Sequence, residues 1–153
     1  MSRLILPLFA MAFLLASCSP AAVVPSGGAL LPQRAILLRD AGGKDLPLQV
    51  EVAATPEQQA TGLMGRESVA GGMLFVFSEQ RELAFWMKNT LVPLDILFFT
   101  QDGSFTGSAR MEPCRTDLCP SYYSPGPAQY ALEMPAGFVE DKEVGREWKL
   151  ILP

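Results

Sequence analysis

The chemistry available to this chain is limited by the complete absence of histidine. Without an imidazole there can be no Ser-His or Cys-His nucleophile pair, and most zinc and iron sites are excluded as well. The groups that remain are carboxylates, cysteines and cations such as Lys88, Arg66 and Arg110. We therefore expect no metal and no cofactor, and an enzyme is the minority interpretation.

The densest group of candidate binding residues surrounds the polar triplet Lys88-Asn89-Thr90. An aromatic side chain, cations, an amide and a carboxylate would suit a small polar ligand or a peptide terminus. A structural interpretation competes with this, because Asn and Thr satisfy backbone groups at bends and a Lys88–Asp95 ion pair would hold such a bend closed. The residues predicted to converge on one rim are Arg66, Trp86, Lys88, Asn89 and Asp95.

Asp95 and Glu133 are the most plausible acid/base carboxylates. A glycoside hydrolase needs two carboxyl groups at a defined separation, which a sequence cannot supply. Asp95 also fits a strand start, and Glu133, between Leu132 and Met134, is predicted to face solvent. A His-independent hydrolase or lyase using Asp95, Lys88 and Arg66 is therefore an alternative to a binding module.

The N-terminus resembles a bacterial lipoprotein signal. Arg3 precedes an apolar run that ends in Leu15-Ala16-Ser17-Cys18, and a run this short is typical of an export signal rather than of a membrane span. We predict a signal peptide over residues 1–17, a lipid on Cys18, and a flexible linker over 18–33 rich in Pro, Ala, Gly and Ser. The expected location is the bacterial envelope, with the protein anchored to a membrane by its lipid.

The other two cysteines, Cys114 and Cys119, form an even pair in an oxidising compartment, which favours a disulfide. Redox catalysis is disfavoured because it usually needs Cys-x-x-Cys at a helix start. Five methionines could in principle join the cysteines in a Cu(I) site. They lack ligand spacing and are ordinary core residues in β proteins; they are Met64, Met73, Met87, Met111 and Met134.

Residues 34–153 are predicted to form one mainly β domain, a sandwich or barrel with one short helix. Alternating apolar residues over 46–53 indicate a half-buried strand. Thr55-Pro56-Glu57-Gln58 predicts a capped helix that ends within about two turns, at Gly62 or Gly65. Turn residues over 101–104 predict a hairpin. Residues 112–127 are expected to be an irregular loop and residues 136–144 a turn or short helix. Further strands are predicted over 35–38, 73–77, 83–87, 95–100, 105–111, 130–134 and 148–152.

Four segments together resemble the domain of unknown function 192 family, which occurs in bacteria and archaea and is often exported. They are residues 55–66, Gly72 to Phe77, the block Phe85-Trp86-Met87-Lys88-Asn89-Thr90 continuing to Asp95, and Leu132 to Gly137. The resemblance covers about residues 46–152 and implies a compact mainly β fold. It implies no activity, cofactor or catalytic residue.

Net charge argues against nucleic acid and anionic lipid as electrostatic partners. The whole chain has a formal charge of −4, and removal of Arg3 with the signal leaves 11 basic against 16 acidic residues, or −5. Both partners require a basic surface. We therefore expect an envelope lipoprotein that binds a small polar ligand or a partner protein, with the hydrolase or lyase and a purely structural lipoprotein as alternatives.

Overall fold

The computed structural model describes residues 30–153, which form nine β-strands and two short α-helices. The mainly β fold is confirmed, and beside the predicted helix a second short one lies within residues 136–144, where a turn or short helix is expected. The predicted signal peptide, Cys18 and residues 19–29 of the linker lie outside the described residues. The elements are β1 (Gln33–Arg39), β2 (Asp45–Ala53), α1 (Pro56–Thr61), β3 (Met73–Arg81), β4 (Ala84–Trp86), β5 (Leu94–Phe99), β6 (Phe105–Met111), β7 (Ser121–Tyr123), β8 (Ala128–Pro135), α2 (Phe138–Asp141) and β9 (Lys149–Ile151).

Seven strands form one sheet in the order β6-β5-β8-β3-β2-β1-β9, and β4 pairs with β7 in a separate two-stranded ribbon. The β2–β3 pair is parallel, and the other pairs are antiparallel. A parallel pair needs a crossover connection, and α1 lies within this one. The helix has the predicted capping box between Thr55 and Gln58 and ends at Gly62. No helix within residues 30–153 is long and apolar enough to cross a bilayer.

The two edge strands of the sheet meet at one point without closing a barrel. Ser104, in the turn before β6, bridges Lys149 of β9, and the Leu150 N–H donates to the Gly103 carbonyl at 2.8 Å. A Cβ at Gly103 would lie 2.1 Å from the Leu150 oxygen, and its φ is +79°. Only glycine can occupy a position that needs both this close approach and positive φ.

Side chains on the two sides of the sheet enter separate apolar clusters. The side that we call the ribbon side carries Phe75 and Ala131 and is covered by the β4–β7 ribbon. The opposite side, which we call the α2 side, carries Leu97 and Leu132 and packs against Phe138 of α2. Because both sides are covered, alternation along these strands does not separate buried from solvent-facing residues.

The predicted irregular loop over residues 112–127 contains one regular element that the sequence did not indicate, because β7 is only three residues long. It pairs with β4 and so completes the ribbon. Cys114 and Cys119 form the predicted disulfide within this segment.

Candidate functional site

A small cleft opens on the ribbon side between the α1 region and the ribbon. Its volume is about 30 Å³, enough for one or two water-sized groups, since a single water needs about 10–15 Å³. Its walls combine apolar and aromatic side chains with polar ones, and the polar lining includes a carboxyl and a hydroxyl. The side chains that matter below are Met64, Phe75, Phe85, Trp86, Thr90 and Glu133.

Glu133 is the buried acid of this cleft. It lies on the interior strand β8, between Met73 of β3 and Ile96 of β5, and is 4% exposed. The prediction that Glu133 faces solvent is therefore wrong. Alternation does place it on the opposite side from Leu132 and Met134, but that side is covered by the ribbon and α1.

The Glu133 carboxyl has no hydrogen-bond partner among residues 30–153, and burial raises its pKa to about 8. Within the described chain, Arg66 Nε is the one wholly enclosed side-chain polar atom that lacks a partner. The Glu133 oxygens must therefore still reach the open space of the cleft. At neutral pH this carboxyl is protonated and offers both a donor and an acceptor.

The backbone around Glu133 is positioned by a close contact with Gly72. A Cβ at Gly72 would lie 2.5 Å from the Glu133 carbonyl oxygen, and the φ of Gly72 is +82°. The glycine lets the chain turn into β3 directly beside β8, where Met73 pairs with Glu133. The glycine pair before residue 73 thus fixes the floor of the cleft.

The rim of the cleft is an aromatic residue that faces outward. Phe85 packs inward, edge-to-face on Phe75 with ring centroids 5.0 Å apart, so its neighbour Trp86 points to the outer face of the ribbon. Trp86 is 54% exposed and Tyr123, on the same outer face, is 60% exposed. Large aromatic side chains this exposed stand out in a domain whose other aromatics are mostly packed.

The bend beside the cleft is formed by Lys88, Asn89 and Thr90, which differ in their contacts and burial. Asn89 is exposed and has φ +58°; its N–H donates to the Cys114 carbonyl and its own carbonyl accepts from Gly65 N–H, both at 2.9 Å. Lys88 Nζ pairs with exposed Asp117 at 3.1 Å. Thr90 is buried and lines the cleft. The bend therefore joins the disulfide segment to the α1–β3 loop mainly through backbone hydrogen bonds.

Arg66 follows Gly65, whose N–H donates to the bend at Asn89, and its guanidinium is directed into the protein. Both terminal nitrogens donate to Glu51, and Leu31 N–H donates to Glu51 Oε2 at 2.6 Å. Burial would raise the pKa of Glu51, but the hydrogen bonds from Arg66 and Leu31 outweigh it and hold the pKa below its ordinary value. Leu31, assigned to the linker from the sequence, is thus fixed to the domain.

Asp95 lies away from the cleft, on the α2 side with Leu97 and Phe99. It accepts from Arg110 Nε at 2.6 Å and from the N–H groups of Gly137 and Val139 at 3.0 Å each. The predicted Lys88–Asp95 pair is not formed, since each residue has another partner. Asp95 is therefore an anchor for the start of α2 rather than a member of the rim.

The structure thus brings together only part of the predicted site. Trp86 lines the cleft, Asn89 and Lys88 lie on the adjoining bend, and Arg66 is joined to it through Gly65. The buried acid that lines the cleft but is missing from the predicted binding set is Glu133. The available signal was an acid inside the apolar run of 130–134, which is the pattern of a strand buried on both sides.

Metal and catalytic sites have little support in this arrangement. Within residues 30–153 no group of three His, Cys, Asp or Glu side chains is placed to hold a metal ion. Met73, Met87 and Met111 are core residues of the ribbon side, while Met134 lies in the cluster on the α2 side. Among the described residues Glu133 is also the single carboxyl that lines the cleft, so the cleft lacks the pair that glycoside hydrolysis needs.

Comparison with known proteins identifies relatives without an established activity. The family model of the domain of unknown function 192, described as "Uncharacterized ACR", matches residues 37–151. A crystal structure from Sinorhizobium meliloti 1021, described as a "putative transcription regulator", is 35% identical with a TM-score of 0.73, and the match covers 81% of this chain and 96% of that one. No curated protein sequence matches the chain.

A second similar structure is a protein of unknown function from Novosphingobium aromaticivorans DSM 12444. It is 26% identical with a TM-score of 0.73, and the match covers 94% of this chain and all of that one. The family match spans nearly the whole described domain and confirms the resemblance seen in the sequence motifs. The chain belongs to the domain of unknown function 192 family.

Proposed function

We propose that this protein is a lipid-anchored module of the bacterial envelope that binds a small polar group in the Glu133 cleft. The observation that carries the proposal is a buried carboxyl without a hydrogen-bond partner at the base of an open cleft. A buried polar group left unpaired costs about 1–3 kcal/mol. A ligand that supplies the missing hydrogen bond would recover part of that cost.

The anchor part of the proposal rests on the sequence alone. Leu15-Ala16-Ser17-Cys18 resembles a lipoprotein processing site, and several acyl chains at about 0.8 kcal/mol per buried methylene give lasting attachment. Cys18→Ala should move the protein from the membrane fraction to the soluble fraction of the bacterium. Continued membrane residence of that variant would contradict the anchor.

The alternative of a hydrolase or lyase using Asp95, Lys88 and Arg66 is less well supported. Each of these side chains already has a partner, and Asp95 belongs to the opposite side of the sheet from the cleft. Binding of DNA, which the description of the S. meliloti relative would suggest, is opposed by the charge of −5 after removal of the signal. A purely structural lipoprotein would not need an unpartnered acid in a cleft.

A fragment titration tests the binding proposal. Neutral amides, alcohols and monosaccharides are added to protein labelled with ¹³C at glutamate side-chain carboxyls, and the Glu133 signal is followed by NMR. We expect at least one fragment to shift the Glu133 resonance. We expect Glu133→Leu to remove binding of that fragment, which is measured for this variant from the NMR signals of the fragment itself.

The matched control is Glu79→Gln, which changes an exposed carboxylate on β3. This variant should bind the fragment as the unmodified protein does. The proposal is wrong if no fragment moves the Glu133 signal, or if Glu133→Leu binds with unchanged affinity.

A further inference from the structure

The chemistry of the ligand follows from three features of the cleft and its rim, and the inference rests on the proposed function. The first is the outer face of the β4–β7 ribbon. Trp86 pairs with Ser121 and Tyr123 pairs with Ala84, so the two exposed aromatic side chains occupy diagonal positions, which lie roughly 7–8 Å apart. Trp86 lines the cleft and Tyr123 lies beyond it on the same exposed face.

The second feature is the lack of free charge at the cleft. The Glu133 carboxyl is held neutral at physiological pH by burial. Among the described residues no Lys, Arg or Asp side chain lines the cleft, and the Arg66 guanidinium is occupied by Glu51. A charged ligand would lose hydration here without gaining a counter-ion, so the site favours a neutral ligand.

The third feature is the size of the cleft. A volume of about 30 Å³ accepts one hydroxyl, hydroxymethyl or comparable group, while the remainder of the ligand must stay outside on the ribbon. The ligand therefore needs a small polar substituent for the cleft and a flat apolar face for the ribbon. A pyranose ring has both, since its C–H groups form an apolar face and its hydroxyls lie around the edge.

We infer that the cleft and the outer ribbon form a site for a neutral oligosaccharide, with one sugar ring on Trp86, its exocyclic group at Glu133 and Thr90, and the next ring towards Tyr123. The site binds without cleaving, because Glu133 is the single carboxyl lining the cleft among the described residues. Free oligosaccharides and envelope glycans both present such neutral sugar rings, so either could be the ligand of this site.

The experiment uses cellotriose, maltotriose and tri-N-acetylchitotriose as probes, with a neutral N-acetylated tripeptide amide as the competing class. The protein carries Trp148→Phe, which removes the other tryptophan and leaves Trp86 as the fluorescent reporter. Binding is measured by Trp86 fluorescence and by NMR shifts at Glu133, and the trisaccharides are checked for cleavage by mass spectrometry.

We expect at least one trisaccharide to bind in the millimolar range without cleavage. Trp86→Ala and Glu133→Leu should each weaken its affinity about tenfold or more, because each removes a principal contact, whereas Glu133→Gln, which keeps a donor and an acceptor, should weaken it about threefold or less. Affinities of the Trp86→Ala protein are taken from NMR alone. Because Trp86 is half exposed, its truncation should leave the fold intact, and Tyr123→Ala should affect trisaccharides more than single sugars.

The failures of the two proposals can be told apart. Binding of the tripeptide or of a fragment that depends on Glu133, with no trisaccharide bound, overturns the saccharide inference and leaves the binding module in place. Absence of any ligand that perturbs Glu133 overturns both. Cleavage of a bound trisaccharide that is lost in Glu133→Gln overturns binding without catalysis.

Discussion

Glu133 and Asp95 are two buried acids on neighbouring, paired strands of the same sheet, 4% and 3% exposed. Asp95 accepts three hydrogen bonds and fastens α2 to the sheet. Glu133 has none within the described chain and lines an open cleft. Burial alone therefore does not show whether the fold satisfies an acid; the hydrogen bonds that the described chain supplies to it do.

Glu51 is a third buried acid of the sheet and can be compared with Glu133. It pairs in register with Met73, which pairs in turn with Glu133, so both glutamates lie on the ribbon side two strands apart. Arg66 and Leu31 satisfy Glu51, and no group between residues 30 and 153 does so for Glu133. Two acids of one type on one side of one sheet thus have opposite shifts in pKa.

The largest expected effect comes from removing the cation that pairs with the buried Glu51 carboxylate. Arg66→Met removes the guanidinium but keeps an apolar side chain, and breaking a buried ion pair costs about 3–5 kcal/mol of unfolding free energy. Urea denaturation at neutral pH measures it. The double variant Glu51→Gln/Arg66→Met should recover much of the loss; equal instability of the double variant would show that packing, not charge, is responsible.

The next effect is the pH dependence that Glu133 imposes. Its folded pKa of about 8 lies above the ordinary value of 4.5, so between these values the folded protein retains a proton that the unfolded chain releases. The free energy of unfolding should fall by on the order of 3 kcal/mol as pH rises from about 4.5 to about 8.

Glu133→Gln provides the control, because the amide fills the same space and does not titrate. This variant should lose that component of the pH dependence and exceed the unmodified protein in stability at pH 8. Parallel stability–pH curves for the two proteins would contradict the assignment of Glu133 as an unpartnered buried acid.

Asp95→Asn should lower the free energy of unfolding at neutral pH by less than Arg66→Met does. Glu133→Gln should not lower it. The amide can still accept a hydrogen bond from an α2 N–H, but its charge-assisted bond with Arg110 is lost, at about 2 kcal/mol. Thermal denaturation of Asp95→Asn and Arg110→Met side by side measures this. A stabilising Asp95→Asn would remove the distinction between the two acids.

Lys88→Ala should have the smallest effect, about 0.5 kcal/mol or less. Its ion pair is with Asp117, whose side chain is fully exposed, and such surface pairs contribute little. Thermal melts of Lys88→Ala and Asp117→Ala at low and high salt test this. A loss comparable to that of Asp95→Asn would mean that the bend beside the cleft depends on charge rather than on backbone hydrogen bonds.

Local patterns gave correct predictions where short-range chemistry dominates. Thr55 and Gln58 cap α1 as expected, and the turn before β6 forms where Gly103 allows it. Cys114 and Cys119 form a disulfide across five positions. The prediction that Glu133 faces solvent was wrong, because a period of two identifies the opposite sides of a strand but does not show what covers each side.

The sequence by itself determined the family, the mainly β architecture, the cysteine pairing and the positions of most turns, because these depend on neighbours in the chain. Only the tertiary structure decided the roles of the acids. Asp95 meets Gly137 and Val139 more than forty positions away, while Glu133 lines a cleft between α1 and the ribbon. A carboxyl is satisfied or left unpaired by groups that the fold brings to it from distant segments, and spacing along the chain carries no record of those distances.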